Sequence, residues 1–356
     1  MGTESQNCIA IGVIMQTKYL TQRIEIEDEI DEMLTSMSYP NTDDIRNGIL
    51  DMINMISDYH EEGTPLYPNV IITDSESYFK TFNSNRTRIA KNELKRHEFS
   101  QSIKMCAPLA VDGWSIYIII SVKNNFIEYG VLTTEIQILS LDLYEQTMES
   151  AIPEINSLFI RNVGNKVVEV RNVQQQMLVA LNLSDEYLPM DDSIRKLTDS
   201  ILTDDDNLRE ARNYLSKTIL QALNEGHGSL IAVVHDDGKV INEVLGNLHG
   251  GILLDDSIDI KGLISDYRKY QTEESSAKLR SYAGLMQSML NFDGITLFSD
   301  NGKVLGYHFI VNNNAVTDEH VQGGSRTRAF LALCSLACIK ACFIKSQDGK
   351  VKFDRK

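Results

Sequence analysis

Positive charge is in short supply in this chain. Its 356 residues carry 34 Lys and Arg against 50 Asp and Glu, a formal net charge of -16. An extended grip on DNA or RNA needs clustered cations along the phosphate backbone, so that function is excluded, whereas a nucleotide pocket needs only local positive charge. Long apolar runs are missing too. No stretch approaches the roughly 18 uninterrupted apolar residues of a membrane span, and the N-terminus lacks the basic-then-apolar order of a secretory signal. Met1-Gly2 resembles the opening of an acylation signal, but Gln6 stands where that signal has Ser or Thr. No membrane partner is expected, and a cytoplasmic location is.

Cysteine is sparse and unpaired in pattern. The five, Cys8, Cys106, Cys334, Cys338 and Cys342, form no CxxC and suit a reducing compartment. The last three recur every four residues in a run that reads as helix. Three sulfurs along one helix edge are poorly arranged for a tetrahedral metal, so they are expected to pack under a sheet with Ala337 and Ala341. The single tryptophan, Trp114, is expected in the core rather than on a ligand platform.

What is present is ordinary for a globular protein: 42% hydrophobic and 24% charged residues, in a chain long enough for two cores. The expected class is α+β / α/β in two domains. Residues 1–183 form an N-terminal α+β domain, 184–206 an acidic helical linker, and 207–356 a mixed β-sheet flanked by helices.

In the first half, residues 8–15 read as a buried strand. Residues 22–37 pass from alternation to helical spacing, with Ile24, Ile26, Ile30, Met33 and Leu34. Asp43 to Tyr59 is a clearer helix, capped by Thr42, with Ile45, Ile49, Met52, Ile53 and Ile56 in one stripe. Residues 69–73 read as a short strand, followed by a polar helical or irregular region to about Lys104. Trp114–Val122 and Phe126–Thr133 form a hairpin through Lys123-Asn124-Asn125, and more strand follows around Gly164-Asn165. Asn85-Arg86-Thr87-Arg88 reads as a solvated basic patch.

In the linker, the acids of Ser184-Asp185-Glu186, Asp191-Asp192 and Asp204-Asp205-Asp206 read as helix N-caps. Ile194, Leu197 and Ile201 make a short amphipathic connector. From Asn207 a helix carries Leu208, Ala211, Leu215, Ile219 and Leu223 and stops at Gly226. Three turns then recur: Asp236-Asp237-Gly238-Lys239, Asp300-Asn301-Gly302-Lys303 and Gln347-Asp348-Gly349-Lys350. Each supplies the residues a tight hairpin demands, so strands are expected on both sides of each. Helices are expected at about Ile258–Tyr270, Glu273–Leu290 and Arg326–Ala341.

One constellation carries chemistry. Asn291-Phe292-Asp293-Gly294-Ile295 sets a carboxylate and a glycine before a β-rich run. Gly323-Gly324-Ser325-Arg326-Thr327-Arg328 sets glycines and two guanidinium groups at the start of an apolar helix, where free N–H groups favour an anion. A metal-holding carboxylate facing an anion cradle is what phosphoryl or nucleotidyl transfer requires.

At these residues the chain resembles the DisA-type diadenylate cyclase (DAC) domain. That family has Asp-Gly-Ala, a hairpin, then Gly-(Ser/Thr)-Arg-His-Arg opening a helix; here they are Asp293-Gly294-Ile295 and Gly324-Ser325-Arg326-Thr327-Arg328. His227-Gly228-Ser229-Leu230-Ile231-Ala232-Val233-Val234 looks like the family's opening strand, and Gly251-Ile252-Leu253-Leu254-Asp255 like its glycine-to-aspartate segment. The resemblance spans about residues 205–356 and implies condensation of two ATP into cyclic di-AMP at a face-to-face homodimer. It implies that Asp293 holds Mg2+ or Mn2+ and that Arg326 and Arg328 bind phosphates. Gly294, Ile295, Val311, Gly324, Ser325, Thr327 and Ala329 would complete the nucleotide site. The sequence departs from the family at Phe292, Ile295 and Thr327, and has Ser346-Gln347-Asp348 where the family has Ser-Glu-Glu, so Asp348 would stand in at the metal. The first half would then be a sensor or regulatory domain. The alternative is a catalytically degenerate module that binds ATP or a cyclic dinucleotide.

Overall fold

The computed structural model describes residues 17–20, 23–36, 42–80, 82, 84–111, 113–135, 137–140, 143–144, 146, 156–164, 166–180, 190–203, 209–226, 228–312, 324–346 and 349–356. The expected strand at 8–15, Leu208, Gly323 and Asp348 lie outside them. The described residues form a mixed α and β protein with two mixed sheets, and the chain divides into two compact units. The first comprises residues 1–133, 144–162 and 166–183, and the second residues 134–143, 163–165 and 184–356.

In the first unit the strands are β1 (Thr17–Leu20), β2 (His60–Glu61), β3 (Thr64–Pro65), β4 (Val70–Thr73), β5 (Asn85–Glu93), β6 (Ser115–Ser121), β7 (Phe126–Thr133), β8 (Ser157–Asn162), β9 (Val167–Arg171) and β10 (Gln176–Ala180). The helices are α1 (Arg23–Ser36), α2 (Asp43–Ile56) and α3 (Arg96–Cys106). Eight strands form a sheet in the order β1-β10-β9-β8-β4-β6-β7-β5. The stripe on α2 was legible, and the Thr42 hydroxyl accepts the Ile45 N–H at 3.3 Å as a cap should. Ile30 of α1, Ile49 of α2 and Phe99 of α3 pack against Val70, Ile118 and Tyr129 in one core. The region expected to be polar helix or irregular instead contains β5, which lines the end of the sheet with its side chains largely exposed. Its Arg86 pairs with Glu76 at 2.7 Å and lies over the Phe79 and Tyr117 rings, so this cation is engaged rather than merely solvated.

In the second unit the helices are α4 (Met190–Ile201), α5 (Arg209–Glu225), α6 (Gly238–Gly246), α7 (Ile260–Tyr270), α8 (Glu273–Leu290) and α9 (Ser325–Ser335). The strands are β11 (Ser229–Val234), β12 (Leu248–His249), β13 (Ile252–Asp259), β14 (Ile295–Ser299), β15 (Lys303–Val311), β16 (Ile339–Lys345) and β17 (Val351–Arg355). The sheet runs β12-β15-β14-β11-β16-β17, with β13 also paired to β15. β11 and β14 are parallel, and β14/β15, β11/β16 and β16/β17 are antiparallel. Alternate residues of β11 feed two cores. Leu230 and Ala232 face Val244 of α6 and Phe330 and Leu333 of α9, while Ile231 and Val233 face α4, α5, α7 and α8.

Two expectations in this unit are overturned. Asp236-Asp237-Gly238-Lys239 makes no hairpin. The Asp237 carboxylate accepts the Lys239 and Val240 N–H groups and starts α6, whose Val240, Ile241, Val244 and Leu245 fall on one helical face. The helix expected to run to Ala341 stops at Ser335, where Leu336 turns extended (ψ 123). Ile339–Lys345 is then the strand β16, paired on both sides and buried. A strand buried on both faces has no alternation, so periodicity could not separate it from helix. Cys334, Cys338 and Cys342 therefore share no helix edge. They lie on α9, the following turn and β16 and share one core, but Ala337, expected with them, is exposed and Ala341 faces the other core.

The segment expected as an acidic connector carries Ile194, Leu197 and Ile201 into the core beside Leu215 and Ile219 of α5. Truncating a buried leucine to alanine at such a site, a loss of three carbons, costs about 2–5 kcal/mol. Leu197→Ala should lower the unfolding free energy by that much in chemical denaturation, whereas the exposed Lys196→Ala should shift it by less than about 0.5 kcal/mol.

Candidate functional site

The site starts where α8 ends. Asn291 and Phe292 close that helix through N–H bonds to the Gln287 and Met289 carbonyls, and Asp293-Gly294 then turns the chain into β14. Gly294 sits at φ +105, and a Cβ there would lie 2.9 Å from the His308 Cα and the Phe309 carbonyl oxygen of β15. Glycine is needed here because two backbones approach too closely for a Cβ, whatever a ligand requires.

The crossing exists because β15 is bulged. Ile295 pairs with Phe309 and Leu297 with Gly306, so β15 spends one residue more than β14 over the same stretch. His308 absorbs the irregularity in the left-handed region at φ 64, where a non-glycine residue is strained. Its Nδ1 lies 2.5 Å from the Asp293 carbonyl oxygen, and the Phe292 ring stands edge-on to His308 at 4.9 Å and to Tyr307 at 5.5 Å. From sequence Phe292 was singled out only as a departure from the family, and Tyr307 and His308 were not singled out. Gly306, an isolated glycine inside the strand, is the one local signal of the bulge, and the rest of the run reads as a plain strand.

The second part arrives on α9. Phe330, Ala332 and Leu333 seat this helix on the sheet face that also contains Ile295 and Phe309, which fixes its first turn. Gly324 is the N-cap and has no side chain to offer, so the first-turn N–H groups lack a side-chain cap. Arg326 Nη2 donates to Asp293 Oδ1 at 3.0 Å, bringing together two residues 33 positions apart. The Asp293 side chain is 81% exposed and that of Arg326 26%. With Asp293 this exposed the pair is worth no more than about 1 kcal/mol, so a competing charge can exchange with it.

The other expected site residues divide. Gly324, Ser325 and Arg328 are exposed at the start of α9, and Thr327 and Ala329 are partly covered. Ile295 and Val311, expected beside the nucleotide, are 1% and 5% exposed within the core that seats α9, so their side chains present no surface to a ligand. The bulk that Ile295 adds over the family's alanine goes into that core.

For Mg2+ or Mn2+ the donor set is thin. Among the described residues no cluster of three or more His, Cys, Asp or Glu side chains could cage a metal ion. One exposed carboxylate nonetheless fits a hard cation that keeps most of its water and arrives with phosphates.

A second polar cluster lies at the opposite, carboxyl ends of β11 and β14. Asp300 accepts the Asp236 N–H at 2.9 Å, His235 Nδ1 at 2.8 Å and Lys340 Nζ at 3.0 Å. Burial pushes its carboxyl pKa up, but these donors together hold it below the ordinary value. Its lone pairs are committed to tying the two parallel strands to β16, which marks it as structural.

No protein-family model matches this chain, and no curated protein matches it.

Two outcomes follow. Gly294→Ala forces a Cβ into backbone at a positive φ and should destabilise by about 1–3 kcal/mol in thermal unfolding. Asp300→Asn should be less stable than wild type at neutral pH. Because the folded pKa is depressed, that difference is present above the unfolded value of about 3.9 and closes as pH falls through the lower folded value.

Proposed function

We propose that this chain is a diadenylate cyclase, condensing two ATP into cyclic di-AMP with release of two pyrophosphates. The observation that carries the reading is the 3.0 Å approach of Asp293 to Arg326, an acid and a guanidinium brought to one place at the uncapped start of a helix. Three of the elements the chemistry needs are supported there: a carboxylate, a guanidinium and backbone donors. The ribose 3′-hydroxyl of one nucleotide attacks the α-phosphorus of the other, in line with departing pyrophosphate. Asp293 takes up the hydroxyl proton, and Arg326 and Arg328 with the N–H groups after Gly324 hold the phosphates and stabilise the leaving charge. A bound Mg2+ or Mn2+ supplies Lewis acidity at the phosphate oxygens and acidifies the attacking hydroxyl. When triphosphate binds, Arg326 exchanges the Asp293 carboxylate for phosphate oxygens and frees the carboxylate for its role.

Each protomer offers one nucleotide, so two second units must face each other for reaction, and a homodimer or larger homo-oligomer is proposed. The first unit is proposed as a sensor or regulatory domain acting on that assembly.

A second reading, a module that binds ATP or a cyclic dinucleotide without turnover, is favoured by the thin donor set and by the pairing of Asp293 with Arg326. One assay separates them. The full chain with ATP and Mn2+ should form cyclic di-AMP by chromatography. Asp293→Asn and Arg326→Ala should each lower the rate by at least about a hundredfold, the size of a lost charge-stabilising group. Calorimetric ATP binding with no product over long incubation would select the second reading.

A further inference from the structure

We infer that His308 is a protein ligand for the divalent cation, through Nε2, beside the Asp293 carboxylate. The inference rests on the reading of Asp293 as the cation-holding acid and adds a residue that neither the motif nor the resemblance assigns.

His308 Nδ1 is 2.5 Å from the Asp293 carbonyl oxygen. A carbonyl oxygen only accepts, so Nδ1 carries the proton, and in the neutral ring Nε2 is left with its lone pair. Histidines that bind metals almost always donate the other ring N–H to a carbonyl or carboxylate, which fixes the tautomer and raises ligand basicity. Here the acceptor belongs to Asp293 itself, so ring and carboxylate are held by the same turn.

The backbone points the same way. His308 occupies φ 64 at a bulge, a conformation uncommon outside glycine in which histidine, like asparagine and aspartate, is several-fold enriched. Hydrophobic burial does not account for the choice of residue. The ring is only partly covered and touches the Phe292 edge, and Phe292 is itself 50% exposed. Glycine would satisfy the bulge with less strain. An imidazole locked there to the loop that carries the acid, through its Nδ1–H, keeps Nε2 as a donor on that same loop.

The donor set then selects among cations. One carboxylate and one imidazole, with phosphate oxygens and water completing the shell, suit Mn2+ better than Mg2+, which prefers oxygen throughout.

The experiment uses the full chain labelled with 15N-histidine, Mn2+ and α,β-methylene ATP, read by pulsed electron paramagnetic resonance. The label separates protein nitrogen from the 14N of the nucleotide base. A directly coordinated 15N should couple to Mn2+ in the wild type and vanish in His308→Gly, a variant that relieves the backbone strain. Mn2+ affinity should fall at least about tenfold in His308→Gly, while His235→Ala changes neither readout. Bound Mn2+ that depends on Asp293 but shows no 15N coupling overturns the His308 assignment and leaves the reading of Asp293 standing. A coupling that persists in His308→Gly also overturns it. Failure of the analogue to bind at all, with or without Mn2+, overturns the nucleotide reading and this inference with it.

Discussion

The close passage of the Asp293-Gly294 turn over the bulge of β15 is the constraint on which the site depends. Two backbones come within van der Waals range there, and the contact is possible only because position 294 has no side chain and His308 accepts a left-handed φ. The crossing fixes the direction in which Asp293 leaves the sheet. It also sets Phe292, Tyr307 and His308 around that acid, although the strands that hold them are otherwise ordinary.

The rest of the second unit serves to bring α9 to the same place. The helix is short, and its apolar residues Phe330 and Leu333 are driven onto a sheet face already filled by Ile295 and Phe309. That packing aims the uncapped first turn, with Arg326, at Asp293. Burial of Ile295 and Val311 thus contributes to the site indirectly, by seating the helix rather than by touching a ligand. The division of labour is common to sites placed on rigid elements: apolar groups set the frame, and a few exposed polar groups act.

How much of this was legible follows the physics of each element. Helices with a cap and an amphipathic stripe, α2, α7 and α8, were readable because their signals are local. Asp293 and Arg326 were readable as a pair because each residue type has a chemical reason to stand where it does. Val240–Val244 misled because its apolar, partly β-branched run follows an Asp-Gly pair, and only the capping by Asp237 decides for helix. β16 misled because a strand covered on both faces looks like a buried helix. His308 was missed although Gly306, an isolated glycine two residues before it, signals a bulge; which residue takes the left-handed φ depends on how one strand registers against the other. Ile194, Leu197 and Ile201 were legible as an apolar face, but what that face packs against is a tertiary fact.

β5 closes one side of the eight-stranded sheet with largely exposed side chains, among them Arg86, Arg88 and Lys91. An outermost strand leaves a row of backbone donors and acceptors open to any passing extended peptide, and such rims are the usual starting points of fibrillar stacking. Charged side chains discourage such pairing, and on this rim Arg86 is held by Glu76 while Arg88 and Lys91 lie against Glu128. The arginines that echo the site motif thus place charge, together with its acidic partners, along the edge where an extended peptide would otherwise add.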